Sequence, residues 1–155
     1  MLLFGEGFPL LEFGPLKPGK WYCKTGRTSD VTGGTCNGVL TYCNWAAAGR
    51  QHWKEDGLER AMIEDGVTEE WIITTEKDGH GGVYQSTFCL DGDSGSGILD
   101  DYGFVSGLLY AGAMSLCGHR EKQMLGICSD ILDIRRWIEE RIPGAVLDLP
   151  DSCQI

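Results

Sequence analysis

Glycine sets the terms for this chain. Twenty-three glycines against five prolines in 155 residues suit a fold with many tight turns between short strands, because glycine enters turn conformations without steric cost. The runs between the turns are aromatic or β-branched. They are Trp21-Tyr22-Cys23-Lys24, residues 39–44, Trp71-Ile72-Ile73-Thr74-Thr75, residues 83–88, Gly97-Ile98-Leu99, residues 104–110 and residues 125–128. Each has the length and composition of a strand. An all-β body around one core is the expectation, and the length is that of an ordinary single domain.

One segment departs from that pattern. Ile131, Ile134, Trp137, Ile138 and Ile142 recur at helical spacing, with Asp133, Arg135, Arg136, Glu139 and Glu140 on the opposite face. Asp130 or Ser129 can cap this helix, and Pro143-Gly144 ends it. At the other end, residues 1–20 carry Pro9, Pro15 and Pro18 among glycines. They read as a linker or an extended arm against the body, closing on the turn Lys17-Pro18-Gly19-Lys20. Gly26 and Gly33-Gly34 read as punctuation around a Ser/Thr-rich loop, and residues 45–70 as a long excursion between strands. The expected organisation is an arm over 1–20, a barrel domain with its helix over 21–145, and a tail over 146–155.

Charge removes several function classes. A net charge of −10 leaves no basic stripe to neutralise phosphates, so neither nucleic acid nor an anionic membrane surface is an expected partner. Residues 1–11 are apolar but interrupted by Glu6 and Pro9, without a basic leader or a small-residue cleavage site. No other run approaches the roughly 20 apolar residues of a membrane span. Seven cysteines is an odd number, no Cys-x-x-Cys occurs, and no His/Cys spacing suggests zinc. Reduced thiols in the cytoplasm, with no metal and no cofactor, are expected.

The chemistry concentrates in Asp91-Gly92-Asp93-Ser94-Gly95-Ser96-Gly97. A serine hydroxyl needs a general base, and donors aimed at the oxyanion that forms as it attacks a carbonyl. Glycines on both sides of Ser94 permit a sharp turn whose N–H groups converge on one point. Gly92 and Ser94 are the expected oxyanion donors, with Ser94 the nucleophile. A polar β-turn is the plain alternative, and a calcium loop fails on ligand spacing.

These residues carry a resemblance. Gly92-Asp93-Ser94-Gly95-Ser96 resembles the active-serine motif of chymotrypsin-like serine peptidases. Residues 103–112 resemble the hairpin that follows it, and Gly126-Ile127-Cys128-Ser129-Asp130 through Trp137-Ile138 resembles the closing strand and C-terminal helix. Upstream, Lys24-Thr25-Gly26-Arg27-Thr28-Ser29, with Thr32-Gly33-Gly34 and Asn37-Gly38, resembles the opening of the second barrel in fungal intracellular trypsin-like processing endopeptidases. The matches run over residues 20–142.

The resemblance implies a single six-stranded β-barrel with a C-terminal helix, half of a two-barrel fold, acting on a peptide or protein substrate. The first barrel of that fold supplies the catalytic His and Asp. No Ala-Ala-His-Cys-like segment occurs, and His52, His80 and His119 lack the family's flanking residues. A fragment, a degenerate non-catalytic relative that binds proteins, and a split enzyme completed by a partner chain all remain open. An exposed flank meant for the first barrel would favour such a partner or a homodimer. The resemblance places Phe88, Tyr110, Gly112 and Gly126 around a substrate pocket. Small residues at Gly112 and Gly126 suggest room for a large apolar or aromatic side chain. It also brings Cys89 near the position of a rim disulfide with Cys117. Asp93 matches an aspartate that pairs with a newly cut N-terminus in zymogen-activated members, a role Met1 does not fill, which leaves Asp93 to order its own turn.

Overall fold

A computed structural model describes residues 12–44, 67–75, 87–115 and 123–149. Its strands are β1 (Trp21–Gly26), β2 (Asp30–Cys36), β3 (Thr41–Asn44), β4 (Val67–Thr74), β5 (Gly97–Asp100), β6 (Val105–Ser115) and β7 (Gln123–Asp130), followed by helix α1 (Ile131–Arg141). All named strand pairs are antiparallel, in the order β2-β1-β5-β6-β7-β4-β3. A further pairing of β2 with β4, Thr35 opposite Thr74 and Cys36 opposite Ile73, closes the ring. The result is a closed six-stranded antiparallel barrel of β1, β2, β4, β7, β6 and β5, with β3 paired to residues 67–70 at the start of β4. Closure removes the unpaired edges of those six strands.

The interior follows from side-chain alternation along strands. Tyr22, Cys36, Ile73, Phe88, Cys89, Ile98, Leu109 and Cys128 form the buried core, joined by Leu16 from the arm. Gly33 and Gly34 do not punctuate a loop, as the sequence suggested; they lie within β2. The reason is close approach. A Cβ on Gly33 would lie 2.9 Å from Cε2 of the Trp21 indole, and one on Gly34 would run into the Thr74 carbonyl oxygen. Glycine inside a strand often marks such a place.

The arm over residues 12–20 lies against the body. Phe13 bridges Val105 in parallel, and the Leu16 N–H donates to Asp130 Oδ2 at 2.8 Å. The Tyr22 hydroxyl accepts from the Lys17 N–H at 2.8 Å. Lys20 N–H to Lys17 C=O, with Gly19 at φ +71°, makes the expected turn. Asp130 is the N-cap of α1, its Oδ1 accepting from the Leu132 N–H at 2.8 Å. One carboxylate thus joins arm, β7 and helix. Asp130→Ala strands two N–H groups, and the expected loss in urea denaturation is about 2 kcal/mol, roughly half of it from the cap. Of the helical apolar positions, Ile131 is buried and Ile142 is 56% exposed, because the helix ends before Ile142 reaches the barrel. Among the described residues, no helix is long and apolar enough to cross a membrane.

Candidate active site

The Ser94 turn sits between the end of the core segment Phe88-Cys89 and the start of β5. Gly92 (φ +98°) and Gly95 (φ +91°) occupy backbone conformations that side-chain-bearing residues rarely adopt. The turn is stitched internally by Asp93 N–H to Leu90 C=O (3.1 Å) and Ser96 N–H to Asp93 C=O (3.1 Å). It is stitched to β6 by Gly95 N–H to Leu109 C=O (2.7 Å) and Leu109 N–H to Ser96 C=O (2.9 Å). Alternate amides are thereby consumed. Among the described residues, the N–H groups of Gly92 and Ser94 have no intramolecular acceptor. They are the two expected as oxyanion donors.

What holds the turn is Asp93. Its side chain is fully buried and forms an ion pair with Lys24, Nζ to Oδ2 at 3.0 Å, both side chains being 0% exposed. The same carboxylate accepts from the Thr28 N–H (2.8 Å), the Ser29 N–H (3.2 Å), the Ser29 hydroxyl (2.6 Å) and the Leu90 N–H (2.9 Å). Ser29 Oγ in turn accepts from Lys24 at 2.6 Å, so serine, lysine and aspartate close a triangle. Gly26 leaves the room: a Cβ there would stand 2.5 Å from Asp93 Cγ and 2.7 Å from Lys24 Nζ. The segment Lys24-Thr25-Gly26-Arg27-Thr28-Ser29 is therefore a cradle for one carboxylate. Burial by itself would raise the Asp93 pKa. The hydrogen bonds from Ser29, Leu90 and Thr28 and the Lys24 ammonium overcome it and hold the carboxyl well below the usual range.

Neither reading of Asp93 offered by the sequence included its main partner. Asp93 does order its own turn, through Leu90, but it also pairs with an internal cation. Lys24 stood in the sequence only as part of a motif. The signal that marks it is a lysine directly after the apolar strand run Trp21-Tyr22-Cys23; in the structure it lies among the buried residues of β1, where a lysine is almost never found without an acidic partner.

Ser94 itself is exposed. Its hydroxyl donates to the Tyr110 carbonyl at 3.1 Å. The contact falls where the β6–β7 register slips between Leu109 and Ala111, a bulge at Tyr110. Such bulges are common beside active sites, where they re-aim a group out of the ladder. The Tyr110 phenol is buried in a group with Glu70, Cys43 and Thr68, and burial pushes its pKa up. Glu70, which accepts from Ser129 Oγ at 2.9 Å, is likewise raised by burial.

A cavity of about 60 Å³ adjoins Ser94 and Gly92, with Cys89, Leu90 and Asp91 on the turn side and Leu109, Ala111 and Gly112 on β6. Of the four residues assigned to a pocket from the sequence, only Gly112 lines it. Phe88 is 0% exposed in the core, and its ring occupies the space beside Gly126, where an added Cβ would lie 2.8 Å from Phe88 Cε1. Tyr110 contributes its carbonyl to Ser94. Cys89, Leu90, Asp91, Leu109 and Ala111 were not anticipated as lining, because register at the bulge decides which β6 residues face the turn. Cys89 is a buried free thiol, its pKa raised by burial; Cys117, its suggested bridge partner, lies outside the described residues. So do His52, His80 and His119. Compared with known proteins, the chain matches no family model and no curated sequence.

Proposed function

We propose that the chain supplies the nucleophile and oxyanion hole of a serine endopeptidase. Ser94 Oγ attacks the peptide carbonyl carbon, its proton passes to a general base, and the Gly92 and Ser94 N–H groups receive the oxyanion. The C–N bond then breaks, the amine leaves with the proton, and water releases the acyl group. One observation carries this reading: an exposed serine lies between two glycines at positive φ, in a turn whose alternate N–H groups are open. The buried Lys24–Asp93 pair supports it, since a preorganised donor set needs a turn that does not move. The histidine and aspartate that such chemistry requires are expected from a first barrel, which the resemblance does not cover in this sequence.

The hydroxyl of Ser94 turns to a backbone carbonyl in the described structure. That favours a second reading, a non-catalytic relative that binds peptide or protein without cutting it. An alkyl fluorophosphonate separates the two. The expected outcome is slow labelling of the native chain, because an oxyanion hole retains residual activity without the base, and its loss in Ser94→Ala. Absence of label on a chain with an intact β-rich circular dichroism spectrum favours the binding role.

A further inference from the structure

Resting on the assignment of Ser94 as nucleophile, we infer that the site accepts a peptide whose residue before the scissile bond has a short, uncharged side chain, with Phe88 setting the limit. A carbonyl carbon attacked by Ser94 Oγ, with its oxygen on the Gly92 and Ser94 N–H groups, puts the neighbouring side chain beside the turn. The cavity adjoining both residues receives it.

That cavity holds about 60 Å³. A dry cavity that admits benzene measures about 150 Å³, so the space here is less than half of that. Its depth ends for an identifiable reason. Leu109 lines the cavity, and its Cδ1 converges with the Phe88 ring on the open face of Gly126. Glycine at 126 would otherwise leave that space free. The ring is locked in place: the Phe88 carbonyl accepts from Thr32 Oγ1 at 2.6 Å, and Lys24 Nζ lies 5.6 Å from the ring centre. Phe88 thereby does two things at once. It packs against the cation that pairs with Asp93, and with Leu109 of the cavity wall it fills the space over Gly126.

The lining is uncharged apart from Asp91, which is exposed. Burial raises the Cys89 pKa, which favours its neutral thiol form. Among the described lining residues, a lysine or arginine side chain finds no buried carboxylate. Side chains of the size of alanine, serine or cysteine fit.

The test uses the full chain and a panel of peptidyl diphenyl phosphonates carrying glycine, alanine, phenylalanine or lysine analogues at the reacting residue. An alkyl fluorophosphonate reports the nucleophile independently of any pocket. The alanine analogue should label Ser94 at least about tenfold faster than the phenylalanine and lysine analogues, the discrimination a small pocket gives per misfit group. Labelling by the fluorophosphonate together with a phenylalanine or lysine analogue that matches or outpaces alanine overturns the inference alone. No reaction with the fluorophosphonate overturns the assignment on which it rests. Two variants test the cause. Phe88→Leu, a moderate change in volume, should raise the phenylalanine-to-alanine ratio, and an unchanged ratio in the folded variant removes Phe88 as the determinant. Ala111→Val fills the cavity from β6 and should slow the alanine analogue relative to glycine; equal slowing of both contradicts the placement of the side chain there.

Discussion

Lys24→Met should lower the free energy of unfolding by about 3 kcal/mol or more, read from urea denaturation. The variant keeps the apolar stem but removes the ammonium that pairs with Asp93 at 3.0 Å where neither side chain meets water. Breaking a buried pair from one side leaves an uncompensated charge, which typically costs about 3–5 kcal/mol. The low end applies, because Ser29, Thr28 and Leu90 still donate to the carboxylate. Acid titration gives a second reading of the same pair. The Asp93 pKa is depressed in the folded chain, so its stabilising contribution is complete above the unfolded aspartate value of about 3.9. It is lost as pH falls through the lower folded value. Without Lys24, burial opposes ionisation with less to offset it, and the loss should begin at higher pH in the variant than in the native chain. An acid transition at the same pH in both would remove Lys24 as the source of the depression. The effect should also reach function: the Ser94 turn shares its backbone with Asp93, so fluorophosphonate labelling should fall even under conditions where Lys24→Met remains folded.

Gly34→Ala is the second large effect, and it acts on the barrel rather than on the site. The added methyl points at the Thr74 carbonyl oxygen and the adjacent Ile73 side chain, at the seam where β2 meets β4. A flexible side chain can give way to a methyl group, but a paired backbone carbonyl moves only with its strand. Overpacking typically costs about 1–3 kcal/mol, and a clash with backbone at the closing pair puts this substitution at or above the top of that range. Gly38→Ala is the control, since nothing stands within 4 Å of its added Cβ; its stability should change by less than about 1 kcal/mol. Equal stability of the two variants would contradict the closed β2–β4 pairing.

The sequence was most legible where local chemistry decides the outcome. Aromatic and β-branched runs at 21–24, 97–99 and 125–128 fall within strands β1, β5 and β7, those at 71–75 and 104–110 overshoot β4 and β6 by one residue each, and the 3.6-residue spacing after Asp130 is α1. Gly33-Gly34 misled because a glycine pair signals a turn by composition, whereas here contacts from Trp21 and Thr74, distant in sequence, require the absence of a side chain. In the site, the two glycines flanking the Asp93-Ser94 pair announced the turn, and the motif beginning at Lys24 announced that something mattered there. What that motif does was not legible, because its partner Asp93 lies 69 positions away and only the β1–β5 pairing brings the two strands together. The room around the turn was legible only in part, for a related reason. Small residues at 112 and 126 suggested open space, but space at Gly126 is taken by the Phe88 ring, whose direction depends on the packed core.

The most direct measurement of the central claim is a crystal structure of the full chain after reaction with diisopropyl fluorophosphate. Phosphorus bonded to Ser94 Oγ, with its phosphoryl oxygen about 2.7–3.1 Å from the backbone nitrogens of Gly92 and Ser94, is the predicted result. An unmodified Ser94, or a phosphoryl oxygen turned to solvent away from those two N–H groups, would contradict it.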